Sequence, residues 1–250
     1  MLEKLKASWK KILVTVLIAL AAAAAITALV IFAIIPLLRY QRAEKLLSQG
    51  DVAGAYDTFD RLHGFRNADK RKEELQDSAV KSRPMDTVKF GGYDWLVLEV
   101  RGGKMLLLMK DALQMQPFNE VFTDVSWEDC TLRAYLNGAF YDSFAPADRA
   151  RIAETTVVNS TNAESGTKAG ADTVDKIFLL SIAEAKLYFP EESARMARCN
   201  GAACYWWLRS PGIYPSTAAT VGSDGVIGFM GSGVNYTTRA VRPALWVTAK

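Results

Sequence analysis

The amino-acid sequence predicts a mixed α+β domain that follows a transmembrane helix and a short helical stalk. The first observation is an uncharged, apolar run near the N-terminus. The second is a charged segment after it, in which apolar residues recur at helical spacing. The third is a C-terminal part in which short β-type runs, separated by glycine turns, flank a portion with helical spacing.

The uncharged run predicts a membrane-spanning helix. From Ile12 to Leu38 the only mild interruptions are Thr15, Thr27 and Pro36. As an α-helix the run is about 40 Å long, which exceeds the roughly 30 Å hydrocarbon core of a bilayer. A cleaved signal peptide has an apolar stretch of only about 7–15 residues, although a run of alanines leaves cleavage as an alternative. A helix that packs on the core of a soluble protein usually has one polar face, and this run has none. We therefore expect the helix to cross the lipid bilayer.

Flanking charge predicts which side of the membrane each end of the span occupies. The basic residues before and after the span are Lys4, Lys6, Lys10 and Lys11, then Arg39, Arg42 and Lys45. The small excess before the span favours a cytoplasmic tail over residues 1–11, because cytoplasmic flanks are enriched in Lys and Arg. We therefore expect a single-pass cell-membrane protein whose C-terminal domain is extracytoplasmic.

Residues 39–83 are expected to form a helical stalk. Gly50 suits a helix C-terminus and Asp51 suits the start of the next helix. Apolar side chains then repeat at helical spacing at Ala55, Tyr56, Phe59 and Leu62. Residues 48–59 resemble the turn and second helix of a tetratricopeptide repeat, but a single unit cannot bury its own face. A helical spacer is the simpler interpretation, with a peptide-binding groove as the alternative. Residues 82–84 mark the boundary to the next domain.

The charge balance differs between the two parts of the chain. The whole sequence has a formal charge of +3, but residues 1–83 carry 14 Lys and Arg against 9 Asp and Glu, which is +5. Residues 84–250 carry 16 against 18, which is −2. A domain that binds phosphates concentrates positive charge on itself, so nucleic acid is not an expected partner.

Cysteine and histidine are scarce. Cys199 and Cys204 bracket a four-residue turn, so a local disulfide between them is an option outside the cell. Cys130 has an apolar context and is expected to pack as a small hydrophobic residue. Structural zinc needs four ligands, and the single histidine, His63, is distant in sequence. We expect neither a metal nor a cofactor.

The domain over residues 84–250 is predicted to open with a β-meander. Its strands are expected at residues 88–90, 95–100 and 105–109. A helix is expected at residues 130–140, with Ser126 as its N-cap. The remaining predicted elements are a helix that starts at Pro146, a mobile loop over 159–173, a strand over 177–180, a helix from Ser181 to Tyr188 and a hairpin turn at Asp224 and Gly225.

Six blocks are the most distinctive part of this domain. They lie at residues 90–98, 117–120, 126–137, 176–181, 205–212 and 241–247. In this order, spanning about residues 85–248, the blocks resemble the bacterial domain of unknown function 6273 family. A single-pass anchor and a repeat-like helical segment before the domain also resemble layouts in that family. The family has no established activity, so the resemblance implies architecture rather than chemistry.

A more distant resemblance suggests the fold. The Trp-rich block at 205–212 and the closing block at 241–247 are similar to C-type-lectin-like folds, which include relatives of formylglycine-generating enzymes and the variable receptors of diversity-generating retroelements. In those folds the segment before the last strand presents the ligand-binding surface. The copper-binding cysteine pair of those enzymes is not recognisable, because Cys199 and Cys204 precede the Trp block at a different spacing. Fold similarity does not transmit function.

No catalytic residue is identifiable. The sequence contains no G-x-G-x-x-G, P-loop or H-E-x-x-H pattern, and with His63 in the stalk the domain has no histidine for Ser-His-Asp or Cys-His catalysis. Carboxylate pairs remain an alternative at Glu128 with Asp129 and at Glu191 with Glu192. Calcium is another alternative, with oxygen atoms from Asp172, Asp175, Asp224 and Asn235.

The blocks at 205–212 and 241–247 are expected to belong to a rigid frame, and the stretch between them to contact a ligand. The frame residues are Trp95, Trp127, Trp206, Arg209, Arg242 and Trp246. The stretch combines rigid aromatic residues with small polar ones, a composition that resembles antibody paratopes. The expected ligand contacts are Trp207, Tyr214, Ser216, Ser223, Phe229, Ser232, Asn235 and Tyr236.

The sequence thus predicts a membrane-anchored binding module for a protein, a peptide or a cell-wall glycan, without catalysis. A cell-envelope enzyme with a carboxylate-based site is the first alternative, and it requires a pocket of convergent carboxylates with perturbed pKa values. A structural subunit of a membrane complex that uses the stalk is the second.

Overall fold

The computed structural model describes residues 2–82 and 85–248. The chain divides into two compact units, and the division falls between Lys72 and Glu73. The boundary predicted at residues 83–84 lies outside the described residues.

One continuous helix occupies the N-terminal part of the first unit. It consists of α1 (Leu2–Leu29), a π-helical turn (Val30–Ile34) and α2 (Ile35–Ser48). The π turn lies directly before Pro36, whose ring clashes with the carbonyl four residues earlier in a regular α-helix. A backbone bond from Ile35 N–H to Val30 O, five residues back, widens the helix at this place. The proline is thereby accommodated without breaking the helix.

This helix is long and apolar enough to cross a membrane from Ile12 onward, and the apolar stretch is not buried in the protein. The coarse prediction of an N-terminal apolar helix is confirmed, whereas its orientation stays a prediction. The span and the first stalk helix are not separate elements, because the helix runs without a break to Ser48.

A tight turn joins α2 to α3 (Val52–Asp60). Gly50 has a φ of +81°, and the amides of Gly50 and Asp51 donate to Leu47 O and Leu46 O at 3.0 and 2.9 Å. These bonds satisfy the last carbonyls of α2 in a Schellman arrangement. The Asp51 carboxylate then accepts from Gly54 N–H at 2.8 Å. The predicted helix end and helix start are both confirmed.

The helical hairpin of α2 and α3 buries its own small core. Ala43, Ala55 and Phe59 are fully buried, and the Tyr40 ring meets the Phe59 ring edge-on at 5.3 Å. The third helix, α4 (Ala68–Ser82), begins in this unit and continues into the second. His63 lies on an exposed turn, with Nδ1 3.4 Å from an Asp69 carboxylate oxygen.

The second unit contains two five-stranded sheets. The first sheet has the strand order β1-β2-β3-β14-β5 and the second has the order β12-β11-β10-β13-β4. The first consists of β1 (Thr87–Phe90), β2 (Tyr93–Arg101), β3 (Lys104–Met109), β14 (Ala244–Thr248) and β5 (Ile152–Ala153). The second consists of β4 (Gln114–Met115), β10 (Trp206–Pro211), β11 (Thr217–Val221), β12 (Ile227–Gly233) and β13 (Ala240–Val241).

The smaller elements connect these sheets. They are α5 (Thr131–Tyr135), a π turn (Leu136–Phe140), α6 (Pro146–Arg149), the pair β6 (Thr155–Val157) and β7 (Thr173–Asp175), α7 (Ile182–Tyr188), α8 (Glu192–Arg195), and the hairpin β8 (Ala197–Cys199) and β9 (Ala202–Cys204). The mixed α+β class is therefore confirmed. The predicted opening meander, the helix from Pro146 and the helix capped by Ser181 are present as well.

Two local predictions are wrong. The N-cap of α5 is Cys130, whose thiol accepts from Arg133 N–H at 3.4 Å, rather than Ser126. Residues 177–180 do not form a strand. Phe178 makes an isolated bridge to Ala244, and the regular strand lies three residues earlier, in β7. The apolar run is buried because other parts of the chain pack against it, and not because it pairs within a sheet. Hydropathy alone does not distinguish these two causes of burial.

Candidate functional site

Four buried tryptophans form the frame of the second unit. Trp95, Trp127, Trp206 and Trp207 are at most 1% exposed. Each indole N–H donates to a specific acceptor, as a buried indole requires: Phe90 O, an Asp175 carboxylate oxygen, Arg195 O and Gln116 O, at 2.8 to 3.0 Å. These bonds fix each ring in one orientation.

The burial of Trp207 corrects its predicted role as a ligand contact. The ring is completely enclosed and packs edge-on against Phe118 at 5.8 Å. A ligand therefore has no access to its face. The Trp246 ring is partly exposed and lines a cleft, and the Arg101 guanidinium carbon lies 5.5 Å from the ring centre. Its predicted frame role therefore needs a smaller correction.

Arg209 connects a strand, a helix cap and two loops. Its guanidinium donates to both carboxylate oxygens of Glu184 and to the backbone oxygens of Leu179 and Val158. Glu184 also accepts from Ser181 N–H and completes the capping box of α7. The arginine is almost fully buried, so its predicted frame role agrees with the geometry.

The ligand contacts predicted on aromatic residues are at the surface. Tyr214, Phe229 and Tyr236 are 62%, 41% and 51% exposed. Single exposed apolar residues are ordinary on a soluble surface, and a contiguous patch of them indicates an interaction site. Asn235 is also exposed, and Ser216 and Ser232 are partly exposed.

Arg239 organises the centre of this surface. Its guanidinium carbon lies 4.6 Å from the Tyr205 ring centre and 5.6 Å from the Tyr236 ring centre. Nε donates to Ser232 Oγ at 3.1 Å, and Nη1 donates to Thr238. Within residues 85–248, no carboxylate forms an ion pair with Arg239. The two tyrosines thus hold a positive charge at the surface without neutralising it.

Phe122 extends the same surface from another loop. A side chain built at Gly233 would meet the Tyr236 ring at 3.0 Å and the Phe122 ring at 3.4 Å, so the two rings flank this glycine. Phe122 is 59% exposed. We call Phe122, Tyr205, Tyr236 and Arg239 the aromatic cluster. Sequence reasoning missed Phe122 and Tyr205 as contacts.

The buried Asn119 holds the Phe122 loop in place. Its amide nitrogen donates to Val121 O at 2.8 Å, and its amide oxygen accepts from Thr131 N–H at 3.1 Å. Its own N–H donates to Val234 O at 2.8 Å, next to the aromatic cluster. The block at residues 117–120 was a signal for this loop, although not for Phe122 itself.

Two predicted contacts lie away from the aromatic cluster. In the hairpin of β11 and β12, Thr217 pairs with Gly233 at one end and Val221 pairs with Ile227 at the other. Ser223 belongs to the turn at the second end, next to Gly225 with its φ of +87°. It lies apart from the cluster, which is at the first end, and its predicted contact role stays a prediction. Phe229 lies between the two ends, on the edge strand β12.

The loop predicted over residues 159–173 is irregular as far as residue 172, with Thr173 already in β7, and it is tied to the hairpin. The Asn162 side chain is buried, and its amide nitrogen donates to Pro211 O, Gly212 O and Phe229 O at 2.8, 3.2 and 2.9 Å. One side chain thus connects this loop to both β10 and β12.

The three cysteines are buried free thiols. In the β8–β9 hairpin, Cys199 pairs with Ala202 and Cys204 pairs with Ala197, so the two cysteines are offset by two pairs on the same face. The disulfide predicted between them is not formed in this structure. Burial raises the pKa of Cys204 to about 11 and that of Cys130 to about 12, which keeps both thiols protonated and unreactive.

The carboxylates proposed for catalysis or calcium have separate roles. The buried Asp175 carboxylate accepts hydrogen bonds from Trp127, Arg133 and Thr173. The Asp172 carboxylate accepts a hydrogen bond from Asn159 N–H. The Asp224 carboxylate accepts one from Val226 N–H. Among the described residues, no three His, Cys, Asp or Glu side chains converge as a metal site would require. The cleft beside Trp246 contains one carboxylate, that of Glu154.

Comparison with known proteins gives one match. A family model described as a domain of unknown function (DUF6273) matches residues 102–249, which is more than half of the chain. The match includes the blocks from 117–120 onward and begins after the block at 90–98. No curated protein and no solved structure matches the chain. The likenesses to C-type-lectin-like folds and to tetratricopeptide repeats therefore stay predictions.

Proposed function

We propose that the C-terminal domain of this chain, which belongs to the domain of unknown function 6273 family, is a membrane-anchored, extracytoplasmic module that binds an acidic segment of a partner protein. The carrying observation is the aromatic cluster, in which Tyr205 and Tyr236 hold the unpaired guanidinium of Arg239 at the surface. The helix from Ile12 onward would anchor the module in the membrane.

The charge of Arg239 favours an acidic partner. A guanidinium between two aromatic rings keeps a fixed direction, and its planar donors match the two oxygens of a carboxylate. Two exposed rings at its sides add apolar area close to the charge. The combination of aromatic anchors and a preoriented arginine is characteristic of the most energetic positions in protein interfaces.

A protein segment suits the surrounding surface better than a glycan. Phe122, Phe229 and Met230 are exposed and carry no hydrogen-bonding group on the side chain. Sugars need donors and acceptors for their hydroxyl groups, whereas an apolar side chain of a peptide is buried favourably on such residues. A cell-wall glycan is therefore the competing outcome of the test.

The C-type-lectin-like fold remains part of this proposal. In such folds the segment before the last strand presents the ligand-binding surface, and here the exposed Tyr214, Phe229 and Tyr236 all precede β14. A cell-envelope enzyme and a structural subunit of a membrane complex remain the alternatives.

The test presents the full chain, inserted in lipid nanodiscs, with a display library of random peptides and with an array of cell-wall glycan fragments. We expect enriched peptides that contain Asp or Glu beside an apolar residue. Replacing Arg239 with Met should weaken their binding by about tenfold or more, since a charge-assisted hydrogen bond contributes about 1.5–3 kcal/mol.

A second variant separates the aromatic contribution from the charge. The triple change of Tyr214, Phe229 and Tyr236 to Ala should abolish peptide capture, whereas the control Val226→Ala removes an exposed apolar group at the far end of the same hairpin. The proposal would be refuted if the triple variant and the Val226→Ala control lost peptide capture equally, or if the array bound glycans while no peptides were enriched.

A further inference from the structure

A cleft on another part of the second unit has a cationic lining that the proposed function does not use. Its volume is about 350 Å³, at the small end of the roughly 300–1,000 Å³ that ligand pockets occupy. Arg242, Lys110 and Arg198 contribute to the lining, together with a single carboxylate, Asp111. The cleft therefore carries a net charge of +2 in a region, residues 84–250, whose own balance is −2.

Arg242 is the buried member of this group. It is 1% exposed, and its guanidinium carbon lies 5.0 Å from the centre of the Trp206 ring. Nε donates to Met109 O at 2.9 Å, Nη2 to Lys110 O at 3.1 Å and Nη1 to Arg195 O at 3.3 Å. Carbonyl and aromatic partners fix the direction of the guanidinium and are neutral, and the Asp111 carboxylate acts on its charge from beyond ion-pair distance.

The charge of Arg242 persists at neutral pH. Burial lowers the pKa of Arg242 to about 10, and this value still leaves the guanidinium protonated near pH 7. Among the residues that the structure describes, none places a carboxylate in an ion pair with Arg242. A guanidinium has five N–H donors, and each of the three nitrogens of Arg242 already donates to one carbonyl, so the side chain acts on the cleft mainly through its charge.

Lys110 and Arg198 extend the positive charge to the mouth of the cleft. Both side chains are exposed, and neither forms an ion pair within residues 85–248. The Lys110 backbone is fixed by a bond from its N–H to Asp94 O at 2.9 Å, and Arg198 is held in β8 opposite Ala203. The cleft thus has one cation at its base and two at its rim.

The remaining walls are apolar. Leu96, Met196 and Ala203 line the cleft, and Met196 is 45% exposed. A thioether side chain adapts its shape to a bound apolar group. Inorganic ions alone would leave these walls unused, so the lining fits an anion that carries a hydrocarbon body.

We propose that this cleft binds a small molecule with a carboxylate head, directed toward Arg242 and Lys110, and a short branched apolar body against Met196 and Ala203. The site is separate from the aromatic cluster, and its test does not depend on the binding of a partner protein.

The test is calorimetric titration of the full chain in lipid nanodiscs with three probes. They are 4-methylpentanoate, its amide and inorganic phosphate. We expect 4-methylpentanoate to bind with a Kd of the order of 1 mM, as suits a fragment of this size, and the uncharged amide to bind at least about tenfold more weakly. Binding of phosphate with equal or higher affinity would overturn the assignment of a carboxylate with an apolar body.

Three variants locate the binding. Lys110→Gln combined with Arg198→Gln should weaken 4-methylpentanoate binding about tenfold, whereas Lys168→Gln, an exposed lysine outside the lining, should leave the Kd unchanged. Ala203→Phe fills the cleft without changing its charge and should abolish binding. The proposal fails if the wild-type chain shows no binding, or if the cleft variants bind as the control does.

Discussion

Arg239 and Arg242 lie three residues apart in the chain and have opposite environments. Arg242 is enclosed, with three backbone carbonyls and the face of Trp206 as partners. Arg239 lies between two tyrosines at the surface, with a serine hydroxyl as its nearest polar side-chain partner on another strand. The difference teaches that an arginine enclosed by carbonyls becomes part of the frame, here also at the base of the proposed anion cleft, whereas an arginine with one side facing solvent keeps donors for a partner protein.

The largest expected difference between the two arginines is in stability. Arg242→Met should lower the free energy of unfolding by about 3–5 kcal/mol, because it leaves buried carbonyl oxygens of Met109, Lys110 and Arg195 with fewer donors and removes packing against Trp206. Chemical denaturation followed by circular dichroism measures this loss. A change below about 1 kcal/mol would show that Arg242 is not part of the frame.

The frame role of Trp207 gives the next largest effect. Trp207→Phe removes the indole N–H that donates to Gln116 O at 2.9 Å and leaves a cavity against Phe118. We expect a loss of about 2–3 kcal/mol from the unsatisfied carbonyl and the missing volume together. Denaturation measures the loss, and the peptide library serves as the control: peptide affinity should not change in the folded protein, in contrast to the effect expected for a contact residue.

The buried thiols predict a loss of stability in alkali. The pKa of Cys130 is raised from 9.0 to about 12 by burial, so its protonated form is favoured in the folded state. The resulting stabilisation is fully present below pH 9 and declines as the pH rises from 9 toward 12. Unfolding curves between pH 8 and pH 10.5, in reducing buffer, should show a shallower decline for Cys130→Ala than for the wild type. Parallel declines would contradict this account.

The smallest expected effect on stability is at the surface. Arg239→Met should change the free energy of unfolding by no more than about 0.5 kcal/mol, because its partners are exposed and remain hydrated in its absence. The same denaturation assay as for Arg242→Met gives a direct comparison. A loss comparable to that of Arg242→Met would place Arg239 in the frame and remove the main support for the binding surface.

Much of the fold was predictable because its signals are local. Gly50 and Asp51 predict the end of α2 and the start of α3, since a left-handed residue and a side-chain acceptor act within one turn of a helix. Ser181 predicts α7 for the same reason. The failure at residues 177–180 has the opposite cause: burial of that run comes from packing around it, not from its own pattern.

The candidate site was less predictable because it depends on long-range contacts. Tyr214 and Tyr236 follow from composition, but Phe122 joins them through long-range backbone bonds of its loop, such as the bond from Asn119 N–H to Val234 O, more than a hundred residues later. Trp207 was assigned to the surface because an aromatic pair in sequence does not reveal which ring faces solvent.

By itself, the sequence determined the apolar N-terminal helix, the α+β class, the family and the separation of a Trp-rich frame from a polar stretch. Each of these depends on composition, spacing or ordered blocks, which the chain carries without folding. The tertiary structure alone decided which arginine is buried and which is exposed, and that Arg242, Lys110 and Arg198 share one cleft. The physical reason is that burial and charge compensation are properties of neighbours in space, and those neighbours come from distant parts of the chain.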